Sequence, residues 1–399
     1  MRPTALLVAA ALAGFGATAA HADTDHYLFV AGGYSTSDDE GVVPDGVDNE
    51  LDARLDRDLR SVLVADVDTE AKTVTNWRRA GLLPLEHPDT EEPLGWGYMG
   101  VQVNYLNGRI YVGPGTSDAS GNTADFIAWA DINPDGSLEE FQTSERFPSP
   151  PTNQRIGATA LVEADGTHYI YQLGGNQDET GQTNRIIYAP IDDSTGAVGS
   201  WSTATLTLPT ADDWFNTAVG IDGTLVHISG HQPGEDAEDR SMRVDLIIPQ
   251  ANGDLTGSWA SEVYSTDYPR SWDQGIATAV DPLGDTYLYI LGGAPDYDHI
   301  YFTDFAFGLT GVWQTATLPE GLRRSTAASA NDMIVMPGGS VDSSSYVEGT
   351  NTVRIATVGE GGDLTWEDAA EPMMQERSFH GAVMAPVEEA VSVPEWMLY

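Results

Sequence analysis

The chain has 399 residues, and 61 Asp and Glu against 18 Lys and Arg give it a formal net charge of −43 at pH 7. A surface this acidic repels phosphate groups, so nucleic acid is excluded as a partner and anionic lipid surfaces are disfavoured. Cysteine is absent, which excludes disulfides, thiolate metal sites and a cysteine nucleophile. An acidic excess with a single lysine, Lys72, is typical of a surface kept hydrated in high salt, so we expect a halophilic protein.

Residues 1–22 have the features of a signal peptide. A run of small apolar residues follows Arg2, and a small-x-small cleavage site ends at Ala22. The run is too short for a membrane anchor, and no later segment is long enough to span a bilayer. We therefore expect an exported protein, periplasmic or extracellular, with one folded domain over 23–388 and a tail without clear role over 389–399.

The first predicted strand of the mature chain covers residues 27–33 and ends in a glycine pair. Strands of this kind recur along the chain, and two of the copies depart from the pattern. Pro114 replaces the first glycine of one copy, and His231 replaces the second glycine of another. The copies are 27–33, 110–115, 169–175, 225–231, 287–293 and 333–339. A unit that returns at a regular interval indicates a repeat fold.

An acidic insertion over 35–58 follows the first strand. One interpretation is a solvated loop. The other is a calcium site, with Asp45, Asp48 and Asp52 as candidate ligands, because hard cations take several oxygen ligands from one loop. The spacing does not match that of an EF-hand loop, and we expect no cofactor besides this candidate calcium ion.

A second unit begins with the hairpin predicted over 64–77, in which an apolar strand and a polar turn lead to a short strand with an aromatic end. Glycine and aspartate in the turns suit hairpins. The aromatic ends recur every 53 to 64 residues and are Trp77, Phe141, Trp201, Trp259, Trp313 and Trp366. This period indicates packing between repeats.

A third unit, a strand rich in small residues, follows each hairpin. Small side chains there indicate close approach around a crowded axis. The copies are 100–103, 157–160, 216–219, 275–278, 325–328 and 381–384. Together the three units give four short strands per repeat.

Six repeats of four antiparallel strands predict an all-β fold, a six-bladed β-propeller. The first repeat lacks its own small-residue strand, and the last such strand, within 378–384, has no repeat after it. We therefore expect strands from both termini to close blade 1, which removes the open edge. The alternative, an open solenoid, would leave both partial repeats unpaired.

The glycine-pair strand, the turn and the terminal aromatic resemble kelch repeats over nearly all of the mature chain. Residues 188–201 look like the repeats of exported bacterial kelch-like proteins. The departures are Pro114, His231 and Phe141. The resemblance implies a propeller, and it implies no one activity, because a propeller hosts many functions.

We expect a ligand site where loops meet the central channel, on the face with the loops before each small-residue strand and after each glycine pair. Arginines are concentrated in the loops before the small-residue strands. Arginine binds carboxylate, sulfate or phosphate with two parallel hydrogen bonds. The candidate ligand-binding residues are Arg155, Arg270, Arg323, Arg324 and Arg377, with Trp96, Trp214 and Trp272 exposed for stacking on sugars. The loops before the small-residue strands also carry His87, Asn153, Asp212, Asp213, Asn216, Asp273, Glu376 and His380, and the loops after the glycine pairs carry His231, Glu235, Asp296, Asp298 and His299. His380 stands at a place that is typical of a structural residue in kelch repeats. The competing interpretation is a scaffold role, in which each arginine pairs with a neighbouring acid.

Three classes of function remain. The first is a binding module for an anionic glycan or a partner protein, and we expect it to be a monomer. The second is a carbohydrate-active enzyme, a lyase or an epimerase acting on an acidic sugar, with His231 or Tyr98 as the base and an arginine against the sugar carboxylate. Polysaccharide lyases and sialic-acid epimerases on propeller folds work in this general manner. The third is a purely structural surface protein with every arginine paired inside the fold.

Overall fold

The structure is a computed structural model, and it describes residues 24–35, 59–89, 91, 94–97, 101–116, 123–148, 157–178, 181–209, 216–229, 243–263, 273–293, 298–305, 312–341 and 349–387. The predicted signal peptide, the acidic insertion with Asp45, Asp48 and Asp52, and the tail lie outside these residues.

Six four-stranded antiparallel sheets form the six blades of a β-propeller, as predicted. From the innermost strand outward, blade 1 has Gly381–Pro386, His26–Ala31, Ser61–Asp68 and Thr73–Leu82, and blade 2 has Val103–Leu106, Arg109–Val112, Ala128–Asp131 and Gln142–Thr143. Blade 3 has Ala158–Ala164, Thr167–Leu173, Ile186–Pro190 and Ser202–Thr203, and blade 4 has Thr217–Ile221, Thr224–Ile228, Arg243–Ile247 and Ala260–Val263. Blade 5 has Gly275–Val280, Thr286–Leu291, His299–Asp304 and Gln314–Thr317, and blade 6 has Ala328–Ala330, Met333–Pro337, Val353–Val358 and Leu364–Asp368.

The described residues also contain three short elements besides the blade strands. Two are hairpins, which pair Gly115–Thr116 with Thr123–Ala124 and Asn176–Asp178 with Gly181–Gln182. The third is a single 3-10 turn, Glu360–Gly362, in blade 6. In the part of the chain that the structure describes, no helix is long and apolar enough to cross a membrane.

Strands from both ends of the chain close blade 1, as expected. Gly381–Pro386 pairs antiparallel with His26–Ala31 over the whole length of both strands. Leu28 and Met384 belong to a buried apolar cluster that also contains Met333 and Val335 of blade 6. The ring is therefore closed by backbone hydrogen bonds within blade 1 and by apolar packing between blades 6 and 1.

The core is divided into six apolar clusters, and each lies between two neighbouring blades. Burial of these apolar side chains is the main stabilising contribution to the fold, and the chain has no cysteine that could add a disulfide. Each aromatic end packs into the cluster that its own blade shares with the preceding blade: Trp77, Phe141, Trp201, Trp259, Trp313 and Trp366. The predicted packing role of these residues is confirmed.

The glycine pairs are sites of close backbone approach between blades. Both glycines of the first pair have positive φ, +63° for Gly32 and +106° for Gly33, a region that favours glycine. A Cβ atom on Gly32 would lie 2.3 Å from the carbonyl oxygen of Trp96, and Gly33 N donates to that same oxygen at 2.9 Å. The glycine pair of blade 1 therefore packs directly against the backbone of the loop that leads into blade 2.

Two later pairs repeat this arrangement. Gly293 N donates to the carbonyl of Leu322 at 2.8 Å, and Gly339 N donates to the carbonyl of Arg377 at 2.9 Å. Trp96, Leu322 and Arg377 thus hold equivalent positions in the loops before blades 2, 6 and 1. The carbonyl of each thus accepts a hydrogen bond from the glycine pair of the preceding blade.

Candidate functional site

Four of the predicted site residues lie in the described part of the chain: Trp96, Arg323, Arg324 and Arg377. The remaining ones lie outside the described residues: Tyr98, Arg155, Trp214, His231, Arg270 and Trp272. They stay predictions.

Trp96 is completely buried, so the expectation of an exposed stacking surface is wrong for this residue. Its indole Nε1 donates to the carbonyl of Pro84 at 2.9 Å, and its ring meets Phe126 edge-on. The loop carbonyl docks on the glycine pair of blade 1, and the side chain fills the core between blades 1 and 2. Its role in the structure is packing.

Arg377 is also completely buried. Its Nη1 donates to the carbonyl oxygens of Gly32 at 2.6 Å and Ser61 at 2.9 Å, and its Nη2 donates to Ser61 Oγ at 2.6 Å. The guanidinium joins the segment before the closing strand to two segments of blade 1. The structure thus gives Arg377 a role in closing the ring.

Arg323 and Arg324 are nearly buried in the loop before blade 6. The backbone of Arg323 pairs with Ser340 in both directions, at 3.0 and 2.8 Å. Arg324 has the rare φ of +53° and places its guanidinium 4.4 Å from the ring centre of Phe379, in blade 1. Stacking of this kind stabilises a desolvated cation.

Arg324 also pairs with a carboxylate. Its Nε lies 3.5 Å from Asp273 Oδ2, and both side chains are 4% exposed. Burial raises the pKa of Asp273 to about 6, although the charges of Arg324 and Arg323 oppose that rise. The carboxyl group is therefore ionised at neutral pH and takes up a proton under mildly acidic conditions.

Asp273, Arg324 and Phe379 hold one equivalent position in blades 5, 6 and 1. All three have positive φ, between +53° and +63°. Arg324 N donates to the Asp273 carbonyl, Phe379 N to the Arg324 carbonyl, and Val101 N of blade 2 to the Phe379 carbonyl, at 2.9, 2.9 and 3.1 Å. This backbone chain around the axis holds each residue in a sparsely populated conformation, which is common at functional sites.

A cavity of about 60 Å³ lies next to this chain, and we call it the axial cavity. All six blades contribute to its wall, through residues at or just before the start of their innermost strands. The lining residues are Val101, Gln102, Gly157, Asn216, Thr217, Asp273, Gln274, Ile276, Arg324, Ser325, Thr326, Phe379 and His380. At about 10–15 Å³ per water molecule, the cavity holds a few waters or one small polar group.

The wall of the axial cavity carries buried polar atoms that have no hydrogen-bond partner among the described residues. They are Asn216 Oδ1, Asp273 Oδ1, Gln274 Oε1, Ser325 Oγ and His380 Nδ1. Most buried polar atoms in native proteins are hydrogen-bonded, so such a group indicates ordered water or a ligand.

A buried hydrogen-bond chain holds Asn216 in place. Its Nδ2 lies 3.1 Å from the Leu173 carbonyl and 3.2 Å from His227 Nε2, and His227 Nδ1 lies 3.2 Å from Asp245 Oδ2. Burial raises the pKa of Asp245, but hydrogen bonds from His227, Ser261 and Arg243 outweigh burial, so its pKa is lowered overall. Asp245 is thus held as a carboxylate behind the cavity wall.

His380 presents a neutral ring to the cavity. Burial lowers the pKa of its imidazole to about 3, and the charge of Arg377 adds to the effect. Its Nε2 lies 2.6 Å from the Pro337 carbonyl, so Nε2 must carry the proton and Nδ1 is left as an acceptor.

The axial cavity differs from the site that the sequence predicted. The predicted rim combines arginines and tryptophans, whereas the cavity wall combines one Asp–Arg pair with amide, hydroxyl and imidazole groups. Gln274 and Ser325 were not predicted at all. The signal that could have found them is their position, directly after the equivalent residues Asp273 and Arg324. Among the described residues, no group of three or more His, Asp or Glu side chains is placed to hold a metal ion.

No protein-family model matches the chain, and no curated protein matches it. Among solved structures, 306 chains are similar in fold. One of them, described as "Structure of YjhT", is 14% identical, and the match covers 77% of this chain and 91% of that chain with a TM-score of 0.50. At this identity the similarity concerns the fold alone, and the resemblance to kelch repeats stays a prediction.

Proposed function

We propose that this chain is an exported β-propeller that binds an anionic glycan or a partner protein on the face that carries the axial cavity. The axial cavity is the observation that carries the proposal. It combines buried polar atoms from blades 1, 4, 5 and 6 at one place on the axis. A few convergent polar groups in a concave site are typical of ligand binding.

The buried ion pair of the cavity supports a role in ligand binding. The Asp273–Arg324 pair is buried at the cavity, and a buried pair is weak evidence for stability, because desolvation offsets its attraction. Placement of such a pair among orphaned polar atoms favours a binding role. In this proposal Arg155 and Arg270, which the sequence predicts as ligand-binding residues, bind the acidic group of the ligand.

A glycan array with the mature protein tests the proposal, in low and in high salt. Salt matters because a chain of net charge −43 repels an acidic glycan until ions screen the repulsion. We expect binding to acidic glycans in high salt, and at least about tenfold weaker binding by the double variant Arg155→Ala, Arg270→Ala. Arg79→Ala is the matched control, because Arg79 is exposed on the outermost strand of blade 1. Absence of binding to every acidic glycan would contradict the glycan proposal and leave a protein partner to be tested.

A second candidate is an enzyme, a lyase or an epimerase acting on an acidic sugar. It is favoured by the combination of a carboxyl group with a pKa of about 6, Asp273, and a neutral imidazole, His380, in one cavity. With a pKa of about 6, the Asp273 carboxyl group exchanges its proton near neutral pH, and the neutral imidazole of His380 offers an acceptor beside it. Incubation of each bound glycan with the protein, followed by NMR of the sugar, separates the two candidates, because an enzyme alters the glycan and a binding module does not.

A further inference from the structure

The orphaned atoms of the axial cavity are mostly acceptors. Asp273 Oδ1 accepts only, and so does Asn216 Oδ1, because the Nδ2 of the same amide faces the Leu173 carbonyl and an orientation with the oxygen there would place two acceptors together. His380 Nδ1 is an acceptor because Nε2 uses the ring proton on Pro337. Gln274 Oε1 adds another acceptor, and Gln274 Nε2 donates to Thr217 Oγ1 at 3.3 Å. Ser325 Oγ donates or accepts.

The groups of the cavity wall oppose two kinds of occupant. An anion would face the orphaned acceptors and the Asp273 carboxylate. A cation would meet Arg324, which lies 3.5 Å from that carboxylate, and the charges of Arg323 and Arg377, which also act on Asp273 and His380, respectively. A neutral group that carries hydrogen-bond donors satisfies the acceptors and leaves the Asp273–Arg324 pair balanced.

The size of the cavity limits that group to a few non-hydrogen atoms. About 60 Å³ is well below the roughly 300 Å³ of a site that encloses a whole drug-sized ligand. The end of a polyol or a glycerol-like side chain fits a space of this size.

We propose that the axial cavity binds the hydroxyl-bearing end of a polyol or sugar, with Asn216, Asp273, Gln274 and His380 accepting its hydroxyl protons. This inference rests on the proposed function for the identity of the whole ligand, and it gives the orientation of that ligand. The hydroxyl end enters the cavity, and any carboxylate stays outside it.

Three small probes of similar length test the chemistry of the cavity: glycerol, malonate and diaminopropane. They differ in carrying hydroxyl, carboxylate or ammonium groups. Saturation-transfer NMR titrations at neutral pH measure the affinities of the three probes. High salt is used because it screens the long-range interaction of the charged probes with the net charge of the protein. We expect glycerol to bind with a dissociation constant in about the millimolar range and each charged probe to bind about tenfold more weakly.

Two variants test whether glycerol binds at the axial cavity. Ser325→Val adds methyl groups to the cavity wall, and Gln274→Ala removes an acceptor without touching the buried ion pair. We expect each to weaken glycerol binding by about tenfold. Ser202→Val is the matched control, because Ser202 is exposed on the outermost strand of blade 3. Circular dichroism and a thermal melt establish that each variant is folded.

The inference is overturned if wild-type protein transfers no saturation to glycerol, or if either charged probe binds as tightly as glycerol. It is also overturned if folded Ser325→Val and Gln274→Ala both bind glycerol like wild type. Its failure differs from failure of the proposed function. Glycan binding without glycerol binding overturns the inference alone, and glycerol binding without glycan binding overturns the glycan proposal alone.

Discussion

Asp273 and Arg324 contact each other twice across the boundary between blades 5 and 6. The Arg324 amide donates to the Asp273 carbonyl at 2.9 Å, and the Arg324 guanidinium lies 3.5 Å from the Asp273 carboxylate. The backbone contact belongs to the chain of hydrogen bonds around the axis, and the side-chain contact places a charge pair at the axial cavity. One pair of residues thus contributes both to the scaffold and to the candidate site.

Asp273→Asn should change how stability depends on pH. The pKa of Asp273 is raised in the fold to about 6 from an ordinary value of 3.8, so the folded state holds this proton more tightly than the unfolded state. The resulting stabilisation is present below about pH 4 and is lost as the pH rises through about 6. The unfolding free energy of wild type minus that of Asp273→Asn should fall by up to about 3 kcal/mol between pH 4 and pH 7.

Urea unfolding at several pH values measures this difference. Asp222→Asn is the control, because Asp222 lies exposed on a turn of blade 4, and its difference from wild type should vary by less than about 1 kcal/mol. A wild-type-minus-Asp273→Asn difference that stays constant or rises with pH would contradict the described environment of Asp273.

His380→Gln should change the pH dependence of the unfolding free energy in the opposite direction to Asp273→Asn. Burial lowers the pKa of His380 to about 3 from an ordinary 6.5, so the unfolded state binds this proton more readily. The stabilisation is complete above about pH 6.5 and is lost as the pH falls towards 3. The unfolding free energy of wild type minus that of the variant should therefore fall by about 3 kcal/mol from pH 7 to pH 4. Glutamine can still donate to the Pro337 carbonyl, which keeps the variant close to the native structure.

The same urea titrations test this prediction. His168→Gln is the control, since His168 is partly exposed at 24% on blade 3. A flat difference for His380→Gln would show that the imidazole is not held neutral by burial.

Arg377→Ala should destabilise the ring closure. The substitution removes the donors to the carbonyls of Gly32 and Ser61 and leaves these oxygens buried. Hydrogen bonds from a charged donor contribute about 1.5–3 kcal/mol each, and an orphaned acceptor adds a penalty. We expect the unfolding free energy to fall by at least about 3 kcal/mol. Arg79→Ala, at an exposed position, should change it by less than about 0.5 kcal/mol. Equal effects of the two variants in chemical denaturation would argue against the role of Arg377 in closure.

Trp96 substitutions should affect stability and not ligand binding. Trp96→Ala empties a completely buried position between blades 1 and 2 and should lower the unfolding free energy by about 3–5 kcal/mol. Trp96→Phe keeps an aromatic ring and loses the hydrogen bond to Pro84, so we expect a loss of about 1–2 kcal/mol. Any glycan that binds wild type should bind folded Trp96→Phe with unchanged affinity. A loss of affinity in folded Trp96→Phe would contradict the packing role and indicate that Trp96 contacts the ligand.

The fold could be predicted from the sequence because each blade repeats the same physical constraints. Glycine pairs are needed where the chain meets the carbonyls of Trp96, Leu322 and Arg377, and aromatic residues are needed between blades. These constraints leave a visible period. Closure followed from two incomplete repeats, whose strands pair in the structure over their full length.

The candidate site could be predicted only in part. The sequence places Arg377 and Arg324 in the loops before the innermost strands, but it does not tell which way their side chains point. The carbonyl of Arg377 accepts a hydrogen bond from Gly339 N, in the glycine pair of blade 6, and the Arg377 guanidinium donates to Gly32 and Ser61 of blade 1. Arg324, two places nearer its strand than the equivalent Leu322, reaches the axis. The orphaned atoms come from four blades, and their juxtaposition depends on ring geometry that no single repeat contains.

The most direct measurement is a calorimetric titration of the best acidic glycan from the array into wild type, Ser325→Val and Ser202→Val in high salt. We predict that wild type and Ser202→Val bind with equal affinity and that Ser325→Val binds at least about tenfold more weakly. Equal binding by folded Ser325→Val would contradict the claim that the ligand of this propeller is held at the axial cavity.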